Sequence, residues 1–332
     1  MLKKGIFTDM AVKFVSLKTN PHVTRLMASR EQVVSAHVLG SGGSVTEGNS
    51  VQPVKMAYTS YESTKPSPMS TGCPVIIMHG LLGSKGNWNA MSKMLHSKTN
   101  RKVFAVDARN HGDSPHTNEL SYNHLVEDLR SLMNDLAITR STFIGHSMGG
   151  RAVMLLGLRY PELVEKLVIV DISPVTISSN LSTMPRYFEA MMSVQIDDNV
   201  PLSKARKVAD EQLAKYVLDS GTRQFLLTNL VEAERGHFKW RINLDSIIHN
   251  FNNIAAFSHI GMSCPVPTLF IAGANSDYIR SEDHDEIKRL FPAAEFETVP
   301  GAGHWVHADK PNELLGIIKE FIQNTEKIEK DI

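Results

Sequence analysis

One five-residue turn constrains this chain more than any other feature: Gly145-His146-Ser147-Met148-Gly149. It follows a strand-like run at 141–144 and opens a run of helix-forming residues at 148–159. G-x-S-x-G at a strand-to-helix junction is a nucleophile elbow, a strained turn that lifts one serine above the end of a sheet. The glycines are a steric demand, because side chains two positions before and after the serine would strike neighbouring backbone. The helix that follows favours negative charge developing at its N-terminus.

The elbow needs a parallel sheet, and the hydrophobic pattern supplies one. Short apolar runs at 74–78, 102–106, 167–170 and 268–272 read as buried strands, with a further strand at 295–299. Val54, Met56 and Tyr58 alternate as in a half-buried strand. Tyr122, Leu125, Val126, Leu129, Leu132, Met133 and Leu136 keep a 3.6-residue period, and Pro311 opens a terminal helix. This alternation predicts an α/β fold: a mostly parallel central sheet flanked by helices, built from 53–172 and 263–325. Residues 173–262 lack buried strands and read as helical over 205–218, 222–231 and 244–251. A segment that long is an inserted helical lid over the carboxyl edge of the sheet, where ligands bind in such folds. Its Met184, Phe188, Met191, Met192 and Phe225 would line an adaptable apolar pocket or pack the lid on itself.

A serine nucleophile requires a base, an acid and an oxyanion site. His79-Gly80-Leu81-Leu82-Gly83 follows the second strand, so the N–H of Leu81 with that of Met148 would form the oxyanion hole. His79 reads as structural. His304, in Gly301-Ala302-Gly303-His304 after the last strand, is the candidate base, and His307 packs or caps. For the acid, Asp171 at the end of the run at 167–170 comes first, Asp245 at the lid's return second, and Asp277 third. Ser276 stands where the acid is commonest, which leaves Asp277 one residue late. Asp107 and Arg109 sit at the same sheet edge and read mainly as a self-bonded polar turn.

Charge and composition narrow the partners. Thirty-five Lys+Arg offset 35 Asp+Glu, which gives no global reason to bind nucleic acid. No apolar run reaches the ~20 residues of a membrane span. Two cysteines make no disulfide framework, the histidines form no metal-binding pair, and no dinucleotide or phosphate loop occurs, so no cofactor is implied. The charge is uneven, however. Residues 1–30 hold Lys3, Lys4, Lys13, Lys18, Arg25 and Arg30 against Asp9 alone. That composition is expected of a mitochondrial targeting segment, followed by a flexible Gly/Ser-rich linker at 31–52.

The segments His79-Gly-Leu-Leu-Gly-Ser84, Val106-Asp-Ala-Arg-Asn-His-Gly-Asp-Ser-Pro115, Gly145-His-Ser-Met-Gly-Gly150 and Val170-Asp-Ile-Ser-Pro174 together resemble the α/β-hydrolase superfamily. More narrowly, the chain resembles the α/β-hydrolase-domain-containing protein eleven branch, sn-1-specific diacylglycerol-lipase-like enzymes of mitochondria, with related small bacterial esterases. The resemblance implies hydrolysis of acylglycerols or other acyl esters; thioester or other acyl hydrolysis, or a mainly non-catalytic role in a partner complex, are the alternatives. It carries over Ser147 and His304. Within that branch the acid is assigned to the W-R-x-N-L-D motif, here ending at Asp245; the bacterial esterases imply Asp171. It also implies a mitochondrial location and an association with the 2-oxoglutarate dehydrogenase complex.

Overall fold

The computed structural model describes residues 51–63, 72–258 and 261–328. The targeting segment expected at 1–30 and the linker up to residue 50 lie outside the described residues. Gln52 is already tied to the body: its carbonyl accepts from Arg109 Nη2 at 3.0 Å.

Seven strands form one sheet in the order β1-β3-β2-β4-β5-β8-β9. They are β1 (Tyr58–Tyr61), β2 (Val75–Met78), β3 (Val103–Val106), β4 (Ser141–His146), β5 (Val164–Val170), β8 (Thr268–Gly273) and β9 (Ala294–Val299). Only β1 runs antiparallel, against β3. The strand expected from Val54 starts later, at Tyr58, although Met56 is buried. Every residue of β2, β3 and β4 is buried, as a sheet covered on both faces requires.

Two-residue alternation sends successive strand side chains into different cores. Val75, Ile77, Val103 and Ala105 face α1 (Asn89–Thr99) and α10 (Pro311–Ile328), meeting Trp88, Leu95, Leu314 and Ile318. Ile76, Met78, Phe104 and Phe143 face α2 (Tyr122–Asp135) and α3 (Met148–Arg159), meeting Leu125, Leu129, Ala152 and Leu156. Under α2 a buried ion pair joins Arg109 to Asp128, with both Nε and Nη2 at 2.7 Å from the carboxylate. Asp107 accepts from Lys85 N and Asp113 N. The expected polar turn at 107–114 is therefore held by its own bonds and by α2.

Between β5 and β8 the chain inserts α4 (Met184–Ser193), α5 (Leu202–Leu213), α6 (Ser220–Leu227), β6 (Leu230–Glu232), β7 (Phe238–Trp240) and α7 (Leu244–Ala255). The antiparallel β6–β7 hairpin replaces part of the helix expected over 222–231. Three-residue strands are too short to show an alternation. The insertion lies over the carboxyl edge. Asn229 Nδ2 reaches Leu82 O after β2, and Asn243 N reaches Asn110 O after β3. Phe225 stands 5.4 Å, ring to ring, from Trp305 after β9. Two short helices precede α10, namely α8 (His284–Leu290) and α9 (Val306–Asp309).

Candidate active site

Ser147 joins β4 to α3 at φ 51° and ψ −117°, a backbone conformation that costs about 1–3 kcal/mol for a residue other than glycine. Its surroundings enforce the turn. A Cβ on Gly145 would stand 2.4 Å from Gly149 O, and a Cβ on Gly149 would stand 2.4 Å from Met78 O. Only hydrogen fits at either place, so α3 is drawn tightly under the sheet edge. Ser147 N donates to Val170 O at 3.1 Å, which ties the elbow to β5.

His304 reaches Ser147 from the loop after β9, with Nε2 3.1 Å from Oγ. Its Nδ1 lies 2.7 Å from Asp171 Oδ2, at the end of β5. With Nδ1–H donating to the carboxylate, Nε2 is left as the acceptor facing the hydroxyl. Asp171 is fully buried, and two donors besides His304 satisfy its charge. Gly273 N donates to Oδ1 at 2.9 Å and Ser276 Oγ to Oδ2 at 2.5 Å. Tyr278 stacks on the His304 ring with centroids 3.9 Å apart, and His146 Nε2–H donates to His304 O at 2.8 Å. Sequence reasoning missed both of these supports; aromatic stacking and side chain–backbone bonds leave no local pattern to read. Burial pushes the Tyr278 hydroxyl up to about 12. Burial, reinforced by His304 and His307, holds His146 well below the usual histidine range.

The other acid candidates go elsewhere. Asp245 does not meet His304. It is exposed in the first turn of α7, where a carboxylate suits the helix dipole. It lines a separate cavity of 690 Å³ with Met191, Met192 and Trp240, and no member of the Ser147–His304–Asp171 line borders that cavity. Phe188 is buried edge-on against Phe251, both in the insertion, so that residue serves the self-packed alternative. Asp277 accepts from Ser178, Ser179 and Asn180. Burial would raise its pKa, but those bonds outweigh it and hold it below the usual carboxylate range.

The glycine loop backs onto the serine. A Cβ on Gly80 would lie 3.1 Å from Ser147 Cβ, so Leu81 follows directly beside the nucleophile, and Met148 opens α3 on its other side. His79 is structural: Nδ1 is 2.8 Å from Gly80 O, and Nε2 accepts from Ala108 N at 3.0 Å. His307 stacks on Trp88 at 4.4 Å, and burial lowers it to about 4.

Residues 74–311 match the family model described as alpha/beta hydrolase fold. This chain belongs to the α/β-hydrolase family. Within it, the chain is 42% identical over 293 residues to the Mus musculus protein named sn-1-specific diacylglycerol lipase ABHD11, covering 88% of this chain and 93% of that one. It is 33% identical over 251 residues to Esterase YbfF of Escherichia coli, covering 76% and 93%. Among solved structures, a marine microorganism esterase superposes with a TM-score of 0.72 at 36% identity, covering 81% of this chain and 99% of that one.

Proposed function

We propose that this chain is a serine hydrolase that cleaves carboxylic acyl esters, with acylglycerols such as diacylglycerol as the substrate class, through an acyl-enzyme on Ser147. One observation carries the reading: the unbroken hydrogen-bonded line Ser147 Oγ–His304–Asp171 at 3.1 and 2.7 Å. The similarity to proteins named as a diacylglycerol lipase and as an esterase supports the substrate class.

His304 Nε2 takes the Ser147 proton as Oγ attacks the ester carbonyl. The N–H groups of Leu81 and Met148 receive the oxyanion, and the α3 N-terminus adds its partial positive charge. Asp171 holds the ring with Nδ1–H toward itself and stabilises the imidazolium that forms. His304 then protonates the leaving alkoxide. In the second half, it activates a water that releases the acid and restores Ser147. Trp305 stands 5.8 Å, ring to ring, from His304 and 5.4 Å from Phe225 of the insertion, so these two rings are the apolar surface proposed to meet the acyl chain.

A serine-directed fluorophosphonate and an ester panel test this reading. Folded protein should be labelled at Ser147 and should hydrolyse p-nitrophenyl butyrate and diacylglycerol, while Ser147→Ala does neither. An unlabelled, inactive wild-type protein would refute it.

We also propose that residues 1–30 direct mitochondrial import, on the strength of six basic side chains against one acid. Association with the 2-oxoglutarate dehydrogenase complex rests on the family resemblance alone. Deleting 1–30 should abolish import, and the complex should co-purify with the full chain from mitochondria; unchanged import or an empty eluate would refute the respective proposal.

A further inference from the structure

The turn that carries Leu81 is strained and is held from two sides. Gly83 N donates to Gly80 O at 3.0 Å, closing a four-residue turn with Leu82 at its third position. Leu82 has φ 61°, a conformation that turns normally reserve for glycine. Its side chain is buried, so solvent cannot satisfy its backbone groups. Its N–H donates to His111 Nε2 at 3.1 Å, and its carbonyl accepts from Asn229 Nδ2 at 2.7 Å. Both partners are themselves anchored. His111 Nδ1 lies 2.9 Å from Arg109 O, and burial pushes the ring down to about 3, so Nε2 stays an acceptor. Asn229 N donates to Leu226 O at 3.0 Å, and Asn229 O accepts from Arg241 N at 2.7 Å, next to the β6–β7 hairpin.

Asn229 is the revealing member. It lies in the inserted segment, 147 residues from Leu82, yet it is 1% exposed and spends its amide on the glycine turn. We infer that Asn229 is a positioning residue: by holding the Leu82 carbonyl, it keeps the Gly80–Gly83 turn set so that the Leu81 N–H faces the oxyanion. The insertion is then part of the catalytic framework as well as a cover. This rests on Leu81 serving as an oxyanion donor, as proposed above. A residue acting this way affects the transition state more than the ground state, because the oxyanion exists only there. The Leu82 carbonyl and the Gly83 N–H share one peptide, and that N–H holds Gly80 O, whose own peptide carries the Leu81 N–H; the Asn229 bond therefore reaches Leu81 through the turn bond, while His79 Nδ1–H donates to the same Gly80 O at 2.8 Å.

Kinetics of Asn229→Leu and Asn229→Asp on p-nitrophenyl butyrate test the inference. Both variants remove the amide donor. Each should lower kcat about tenfold or more, with KM changed by less than about threefold, since losing one oxyanion contact outright costs about 10²–10³. The aspartate variant adds a readout that a merely structural residue would not move. A carboxyl buried here has a raised pKa, and its protonated form can donate to Leu82 O. The ratio of Asn229→Asp to wild-type kcat should therefore rise as pH falls from 8 to 5, while the Asn229→Leu ratio stays flat. Taking ratios removes the shared titration of His304.

Folded Asn229→Leu protein with wild-type kcat would overturn the inference, as would an Asn229→Asp ratio that does not change with pH. If the leucine variant does not fold, the aspartate ratio decides alone. Fluorophosphonate labelling of wild-type Ser147 reports separately on the hydrolase reading, so failure of one is distinguishable from failure of the other.

Discussion

Ser276 Oγ donates to Asp171 Oδ2, the same oxygen that meets His304 Nδ1. Asp171 directly follows β5 and Ser276 lies in the turn after β8, the neighbouring parallel strand, 105 positions further on. A serine thus stands at the strand end where a carboxylate is commonest, and it serves the carboxylate supplied by the strand beside it.

Replacing Asp171 with Asn should lower kcat by about 10³–10⁴, because the amide cannot hold His304 in the tautomer that accepts the Ser147 proton. Asp245→Asn should stay within about twofold, as an exposed carboxylate with no bond to His304. Steady-state kcat of the two variants checks this, and a large loss confined to Asp245→Asn would contradict the assignment.

Ser276→Ala should lower kcat by about tenfold and leave KM unchanged. It removes one of three donors from a fully buried carboxylate, a hydrogen bond to a charged group worth about 1.5–3 kcal/mol. Ser276→Asp should be worse at pH 7, because two carboxylates in contact cannot both ionise readily. Its activity should depend on pH in a way the alanine variant's does not.

Stability should fall on acidification. Burial depresses His111 to about 3 and His307 to about 4, and it pulls His146 well down. In the unfolded chain these rings take up protons near pH 6.5, while in the folded chain they do not. The unfolded state therefore binds more protons below pH 6.5, and stability is lost as pH falls from there toward 4. Thermal melts across that window should show a falling Tm. His307→Phe, which keeps a ring against Trp88, should flatten the slope.

Asp128→Ala should destabilise the fold by about 3–5 kcal/mol, since it strands the Arg109 guanidinium in a site with no exposure on either partner. Urea unfolding would measure the loss. Activity per folded molecule should survive, because this pair braces α2 and the 107–114 turn and touches no reacting atom.

Much of this protein is legible in one dimension because the physics there is local. Short apolar runs closed by Gly, Asp or Pro mark the strands, and a 3.6-residue period marks α2. Two glycines spaced around Ser147 mark a turn that no larger residue permits. His304 follows from chain order once the sheet is drawn. What the linear order left open was the choice among carboxylates, since Asp171, Asp245 and Asp277 all lie between the serine and the histidine. Strand adjacency decided it: β5 lies between β4 and β8, so Asp171 emerges beside the elbow, whereas Asp245 begins a helix of the insertion. The Asn229–Leu82 and Ser276–Asp171 bonds were equally out of reach. Each joins residues more than a hundred positions apart through one hydrogen bond, and such a bond leaves no periodicity in the sequence. Only the folded arrangement brings those atoms within 3 Å.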